Sequence, residues 1–377
     1  MRRQAFLLSA LLVQCLWTGC GSLPRSREVE QLQLIETLGY DMGPAGTVVS
    51  VSSGPQLSGE PPILLSARGE SIADALERLR DFSPREELFF AHIRFAVMGE
   101  AAAAHGAGPL LDHFERGVQT SLELPLLVVR DGTAKELVTG SEDPEYEVTA
   151  ALASLQRETE QRGAARFFTV REVAQRLARS GAALCCAVKA VSAEENAPSA
   201  GEGALAVTEA GYAVLKEGSL AGWLDPDAAL GTDLLLDLAG QADYVLPGPG
   251  GAVTVELRNS RTRLTAAAED GVLTVRAGTR ARAGILEADG SGPLDDRALE
   301  RLGKELSRAM AVQESRALSA SRETGADFLE LGTLLGTPLA GSREALLTGM
   351  RWRVTVLAEV DRSFDVDGTA PEAPDRG

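Results

Sequence analysis

The chain has 377 residues, of which 54 are Asp or Glu and 37 are Lys or Arg, giving a net charge of −17, and 44% of the residues are hydrophobic. That length and apolar content suit two or three domains with proper cores. The acidic balance excludes nucleic acid as a partner, because phosphate binding needs a basic surface, and it argues against electrostatic attachment to anionic lipid.

The N-terminus opens with Arg2 and Arg3, followed by an apolar stretch over residues 5–17 in which Gln14 is the one strongly polar residue. The stretch is too short for a membrane span of about 20 apolar residues. It fits the apolar region of a secretory signal. Thr18, Gly19 and Cys20 match the end of a bacterial lipobox, in which a small residue precedes an acylated cysteine; Trp17 stands where leucine is usual. The expectation is a signal peptide over 1–19 and a lipid anchor at Cys20. The same residues also permit an ordinary cleaved signal or an uncleaved anchor. A diacylglyceryl cysteine would hold the chain stably by itself, since two acyl chains succeed where one is marginal.

Beyond Cys20, Val29, Leu32 and Ile35 in "REVEQLQLIETLGYD" fall at helical spacing and Gly39 reads as a stop, which predicts a helix. Residues 47–53 alternate as a strand. A short helix follows, capped by Ser71, with Ile72, Ala75, Leu76 and Leu79 on one face and Pro84 barring its continuation. Residues 88–98 predict one strand ending at Gly99, and 100–117 a helix interrupted around "GAGP". A second apolar strand spans 122–129 before an Asp131-Gly132 turn. Thr169 and Glu172 form a capping-box pattern for a helix that Gly181 closes.

"SAEENAPSAGEG", residues 192–203, lacks large apolar residues and is the linker candidate. After it, "GYAVLKEGSLAGWL" predicts a hairpin turning at Glu217-Gly218, and further strands turn at Asp270-Gly271. A long amphipathic helix is expected over about 295–322, with Leu299, Leu302, Leu306 and Met310 on its buried face. A closing strand and a disordered tail over 369–377 end the chain.

Chemistry is scarce. With Cys15 in the signal and Cys20 as anchor, only Cys185 and Cys186 remain, adjacent in a strand-like stretch, and they read as core thiols. His92, His105 and His113 are spaced 13 and 8 apart, unlike a one-turn metal pair. His92 reads as a strand histidine. The acids of 225–227 and 365–368 read as turn residues, since neither loop ends in the carboxylate that calcium needs. No nucleophile elbow, zinc signature, paired Cys motif or phosphate loop is present. The expectation is no enzyme, no catalytic residue, no cofactor and no metal.

Several stretches in order resemble the GerAC, or Ger(x)C, family, the lipoprotein C subunit of bacterial spore germinant receptors. "REVEQLQLIETLGYD" behind the lipobox is similar to the family's opening segment. "LFFAHIRFAVMGEAAAAHG" carries its histidine and Gly-Glu at His92, Gly99 and Glu100, and Arg116 matches the arginine of the next helix. Gly211, Ala213, Val214, Lys216, Leu220, Gly222 and Leu224 match a later segment, with Leu215 in place of Phe. "TGADFLELGTLL" resembles its Asp-x-x-Gly segment, and Gly368 its ending. A tryptophan usual after the lipobox cysteine is missing.

The resemblance covers residues 20–368. It implies an α+β or mixed α/β, multi-domain body, with antiparallel or mixed sheets flanked by helices. The expected division is 20–197 and 203–368, the first open to a split into two subdomains near 140. The resemblance implies a non-enzymatic subunit in nutrient-triggered germination, anchored by lipid on the outer face of the inner spore membrane. Its partners would be the integral membrane A and B subunits. The alternative is a lipid-anchored extracytoplasmic solute-binding protein, which would normally show two similar α/β lobes around a cleft.

Overall fold

The structure, a computed structural model, describes residues 32–44, 46–54, 61–83, 87–117, 120–140, 146–163, 165–192, 205–289, 294–339 and 343–362. Cys20, the signal stretch, most of the linker candidate and the tail lie outside these residues.

An eight-stranded mixed sheet forms the centre. It begins with β2 (Thr37–Gly43), β3 (Gly46–Ser52) and β4 (Leu64–Gly69), an antiparallel run, after a short β1 (Leu32–Leu34). The helix predicted here is therefore two strands. The helical spacing of Leu32 and Ile35 loses to tertiary context: Leu38 and Tyr40 are fully buried in a strand paired on both sides. Gly39 is not a helix stop. It lies inside β2, where a Cβ would press on Ala134 and Val138 of the helix above.

Helix α1 (Ile72–Asp81) has the expected cap, with Ser71 accepting from the Asp74 amide. The single strand expected over 88–98 divides in two. β5 (Glu87–Phe89) pairs with β1, and β6 (Phe95–Met98) enters the large sheet beside β2. His92 sits in the turn between them, exposed, and is not a strand histidine.

Helices α2 (Glu100–His105) and α3 (Gly108–Arg116) follow, broken as the Gly and Pro residues predicted. β7 (Leu126–Val129) is shorter than the apolar run that predicted it, and Pro125 just before it makes only an isolated bridge to Thr169. Proline has no N–H to continue a ladder.

After α4 (Ala134–Thr139), α5 (Val148–Arg162) and α6 (Val170–Ser180), β8 (Ala182–Ser192) lies beside β7. Strands β2, β6, β7 and β8 are mutually parallel. β6 and β7 are buried at every position, which explains their unbroken apolar sequences. Thr169 and Glu172 form the predicted capping box, and Gly181 closes α6 at φ 73°.

β9 (Leu205–Lys216) pairs antiparallel with β8, and β10 (Ser219–Leu224) completes the sheet. Strands from both sides of the linker candidate thus share one sheet. Glu217 and Gly218 have φ 50° and 86°, the doubly left-handed turn that suits a two-residue hairpin.

A second, four-stranded sheet orders β11 (Ala242–Pro247), β12 (Ala252–Glu269), β13 (Val272–Ala288) and β14 (Arg351–Asp361). It follows α7 (Pro226–Leu235) in the chain. The β12–β13 hairpin turns at Asp270 and Gly271, both with positive φ. Helix α8 (Asp296–Thr324) covers its inner face, capped by Asp295 and ended by left-handed Gly325. Leu302, Leu306 and Met310 of α8 pack with Val253, Val255 and Ala283 in a smaller core. Ala317 and Leu318, one turn or two further on, belong to the main core together with Val275 and Ala277. α8 and the long hairpin therefore bind the two sheets together. Short helices α9 (Leu331–Leu334) and α10 (Glu344–Thr348) lie between α8 and β14.

Candidate functional site

In open sheets with parallel strands, ligands usually sit beyond the carboxyl ends of those strands. Here that corner holds Asp41, at the end of β2. Its Oδ1 and Oδ2 accept the Ala134 and Lys135 amides, each at 2.8 Å, so the carboxylate closes the first turn of α4. Burial raises its pKa, and the two amides oppose that shift. Gly99 is required beside it, because a Cβ there would overlap Asp41 Oδ1. Glu100 accepts the Asp131 amide at 2.6 Å, and Asp131 is ion-paired with Lys189 at 2.8 Å. The Gly-Glu pair singled out in the sequence is thus a joint between β2, β6 and the β7–α4 turn. The corner is filled by the protein's own caps.

A second joint surrounds the hairpin. Gly211, at φ 88°, lets β9 pass so close to Leu224 that a Cβ would overlap the Leu224 carbonyl oxygen. Next to it, fully buried Tyr212 donates to Asp233 Oδ1 at 2.7 Å. Burial pushes the Asp233 carboxyl up to about 7, against the stabilising Tyr212 hydroxyl and the Ala165 and Arg166 amides. Leu215, the departure from the family pattern, is fully buried core.

The "TGADFLELG" segment makes the third joint. Asp327 accepts the Leu331 and Gly332 amides at 2.7 and 2.8 Å, and burial raises its carboxyl to about 6. Glu330, left-handed at φ 55°, takes ion pairs from Arg176 at 3.1 Å and Arg179 at 2.9 Å. Lys216 of the hairpin pairs with Glu344. The segment clamps α6, and α10 holds the β9–β10 hairpin.

Cys185 and Cys186 are free and fully buried. Burial pushes the Cys185 thiol up to about 12 and holds the Cys186 thiol well above its ordinary value, which makes both poor nucleophiles. Asp225 caps α7 and Asp227 pairs with Arg316 at 2.6 Å, so both serve as helix-end groups. Among the described residues no three His, Cys, Asp or Glu side chains come together as metal ligands. No helix among them is long and apolar enough to cross a membrane.

Two features escaped sequence reasoning. One is the trio of buried acids, Asp233, Asp327 and Glu314; the last accepts from Thr279 at 2.6 Å on the inner face of the second sheet. Asp327 lies in a segment that the family resemblance marked, but nothing in the sequence distinguishes Asp233 and Glu314 from the many exposed acids. The other is the outer face of that sheet, where arginines recur at every second position in "RTR" (261–263) and "RAR" (280–282). That period-two signal was legible.

An α+β scaffold, its marked polar residues spent on caps and joints between elements, is the class of protein that this architecture defines. Two family models match the chain: the spore germination protein N-terminal domain over residues 25–190, and the spore germination B3/GerAC-like C-terminal domain over 210–336. The chain belongs to this spore germination family. The fold is similar to the crystal structure of the GerBC protein, with a TM-score of 0.52 at 15% identity, covering 86% of this chain and 96% of that one. A search of curated proteins found no match.

Proposed function

We propose that this chain is a lipid-anchored, non-enzymatic C subunit of a spore germinant receptor. An acylated Cys20 would hold it on the outer face of the inner spore membrane. It would act in nutrient-triggered germination through contacts with the integral membrane A and B subunits. The observation that carries the reading is the pair of family matches, in order, over both halves of the chain. The lipobox at Cys20 supports the anchor.

Affinity purification of the tagged full-length protein from spore membranes should recover two integral membrane subunits. Cys20→Ala should move the protein from the membrane to the soluble fraction. A wild-type N-terminus without a diacylglyceryl adduct would overturn the anchor. Purification without membrane partners would overturn the receptor role.

A further inference from the structure

The chain is strongly acidic, yet one half of the outer face of the second sheet is built of arginine. The pleat directs alternate residues of β12, β13 and β14 away from α8. Arg261 lies directly opposite Arg280, and Arg276 directly opposite Arg353. Like charges so placed destabilise a sheet. Arg263 faces Gly278 between these rows, and Arg351 extends the array. All are exposed. Arg282 and Arg261 have distant acidic neighbours, Glu359 at 3.8 Å and Asp237 at 3.7 Å. Arg263, Arg276, Arg280 and Arg353 make no ion pair among the described residues. The protein's own acids reach Arg261 and Arg282 at the edge of the array and leave these four without an ion pair.

We infer that the arginine face docks on the anionic phospholipid headgroups of the membrane that carries the protein. The array spans three strands and lines a wide, open hollow of about 790 Å³, into which the headgroup phosphates of a bilayer can project. Every cation in it is arginine, whose planar fork binds phosphate oxygens in pairs. Leu357 is the one large apolar side chain in the array, and no aromatic residue accompanies it, so the apolar, aromatic centre common in protein interfaces is not built here. The inference rests on the anchored reading above. The stretch from Cys20 to Leu32 can span up to roughly 40 Å when extended. Tethering also raises the effective concentration of headgroups at the face. Net charge alone argued against electrostatic attachment to lipid; segregation of the charge reverses that conclusion for this face.

The test uses the acylated full-length protein, reconstituted on vesicles of phosphatidylcholine alone or with added phosphatidylglycerol. Arginine accessibility is read by phenylglyoxal modification and peptide mass mapping. Arg263, Arg276, Arg280 and Arg353 should be protected on the anionic vesicles at low salt, and exposed on phosphatidylcholine or at high salt. The triple variant Arg263→Gln, Arg276→Gln, Arg353→Gln should stay on both vesicle types through its anchor. Its Arg280 should lose the protection, since each arginine removed weakens headgroup attraction about five-fold. Equal modification on both vesicle types overturns the inference. So does protection by inorganic phosphate without anionic lipid, or protection that appears only when the integral membrane subunits are added. If the protein fails to float with phosphatidylcholine vesicles, the anchor reading falls instead. Low-salt flotation with phosphatidylglycerol vesicles, abolished by the triple variant, then decides the arginine face.

Discussion

Gly211 and Gly218 separate two costs that a glycine substitution usually mixes. Both have left-handed backbones, at φ 88° and 86°. An added Cβ at Gly218 meets nothing within 4 Å, so Gly218→Ala reports backbone strain alone. That strain is about 1–2 kcal/mol. An added Cβ at Gly211 overlaps the Leu224 carbonyl oxygen and the backbone of Asp225. Overpacking against atoms that cannot rotate away adds about 1–3 kcal/mol. Asp225 is also the N-cap of α7, so moving it weakens a cap worth about 1 kcal/mol. Gly211→Ala should therefore cost about 3–6 kcal/mol in all. Urea unfolding should rank the midpoints wild type, Gly218→Ala, Gly211→Ala, with the second step the larger. Equal losses for the two variants would refute the close-approach argument. Assembly with membrane partners should follow stability. A Gly218 variant that keeps its midpoint yet no longer co-purifies would instead make the hairpin tip a contact surface.

Limited proteolysis should cut first within residues 192–203, whose composition favours exposure, and the two fragments should stay together because β8 and β9 pair from Ala182 to Lys216 across the cut; separation on native gel filtration would contradict this pairing. The buried acids predict a pH dependence. Asp233 and Glu314 are raised to about 7 and Asp327 to about 6, all above their ordinary values, so the stability they give is fully present below about pH 4 and is lost as pH rises through 6 to 7. The melting temperature should be higher at pH 5 than at pH 8, and Glu314→Gln should reduce the difference; a melting temperature that is flat or rises over that window would contradict the assignment.

Much of the fold was legible because local chemistry agreed with it. Ser71, Thr169 and Asp295 cap the helices their patterns announced. Both hairpin turns fall on an acid-glycine pair with positive φ. The failures came where tertiary context set the outcome. The segment that opens with helical spacing becomes strand, because Thr37 to Asp41 of β2 are buried at every position between two neighbouring strands. Residues 88–98 divide because β5 finds its partner in β1 and β6 finds its partner in β2, a choice no local pattern records. The helix break before Pro109 was legible, whereas the shortening of β7 at Pro125 was overlooked although the same residue type signals it.

Several residues that carry the family resemblance lie at three joints, which mark a family without marking chemistry, whereas His92 sits exposed in a turn. Asp41 and Gly99 are 58 positions apart in sequence, yet one fills the space that the other leaves empty, and both fix the start of α4. Gly211 admits the backbone at Leu224, and Asp327 with Glu330 clamps α6 to the segment after α8. Each joint connects elements distant in the chain, so a substitution at either side shifts a whole element. Such positions hold a body in one shape and leave its surface free to differ. On the proposed reading the chain acts through its surface, and the arginine array is a part of that surface whose composition departs from the acidic chain around it. A family pattern made of joints therefore does not mark the array. The period-two arginines of β12 and β13 become meaningful only once the strands are paired, because pairing sets Arg261 against Arg280 and Arg276 against Arg353. That arrangement costs stability in isolation. Its cost is relieved when anions lie across it, which is the physical reason to look for them there.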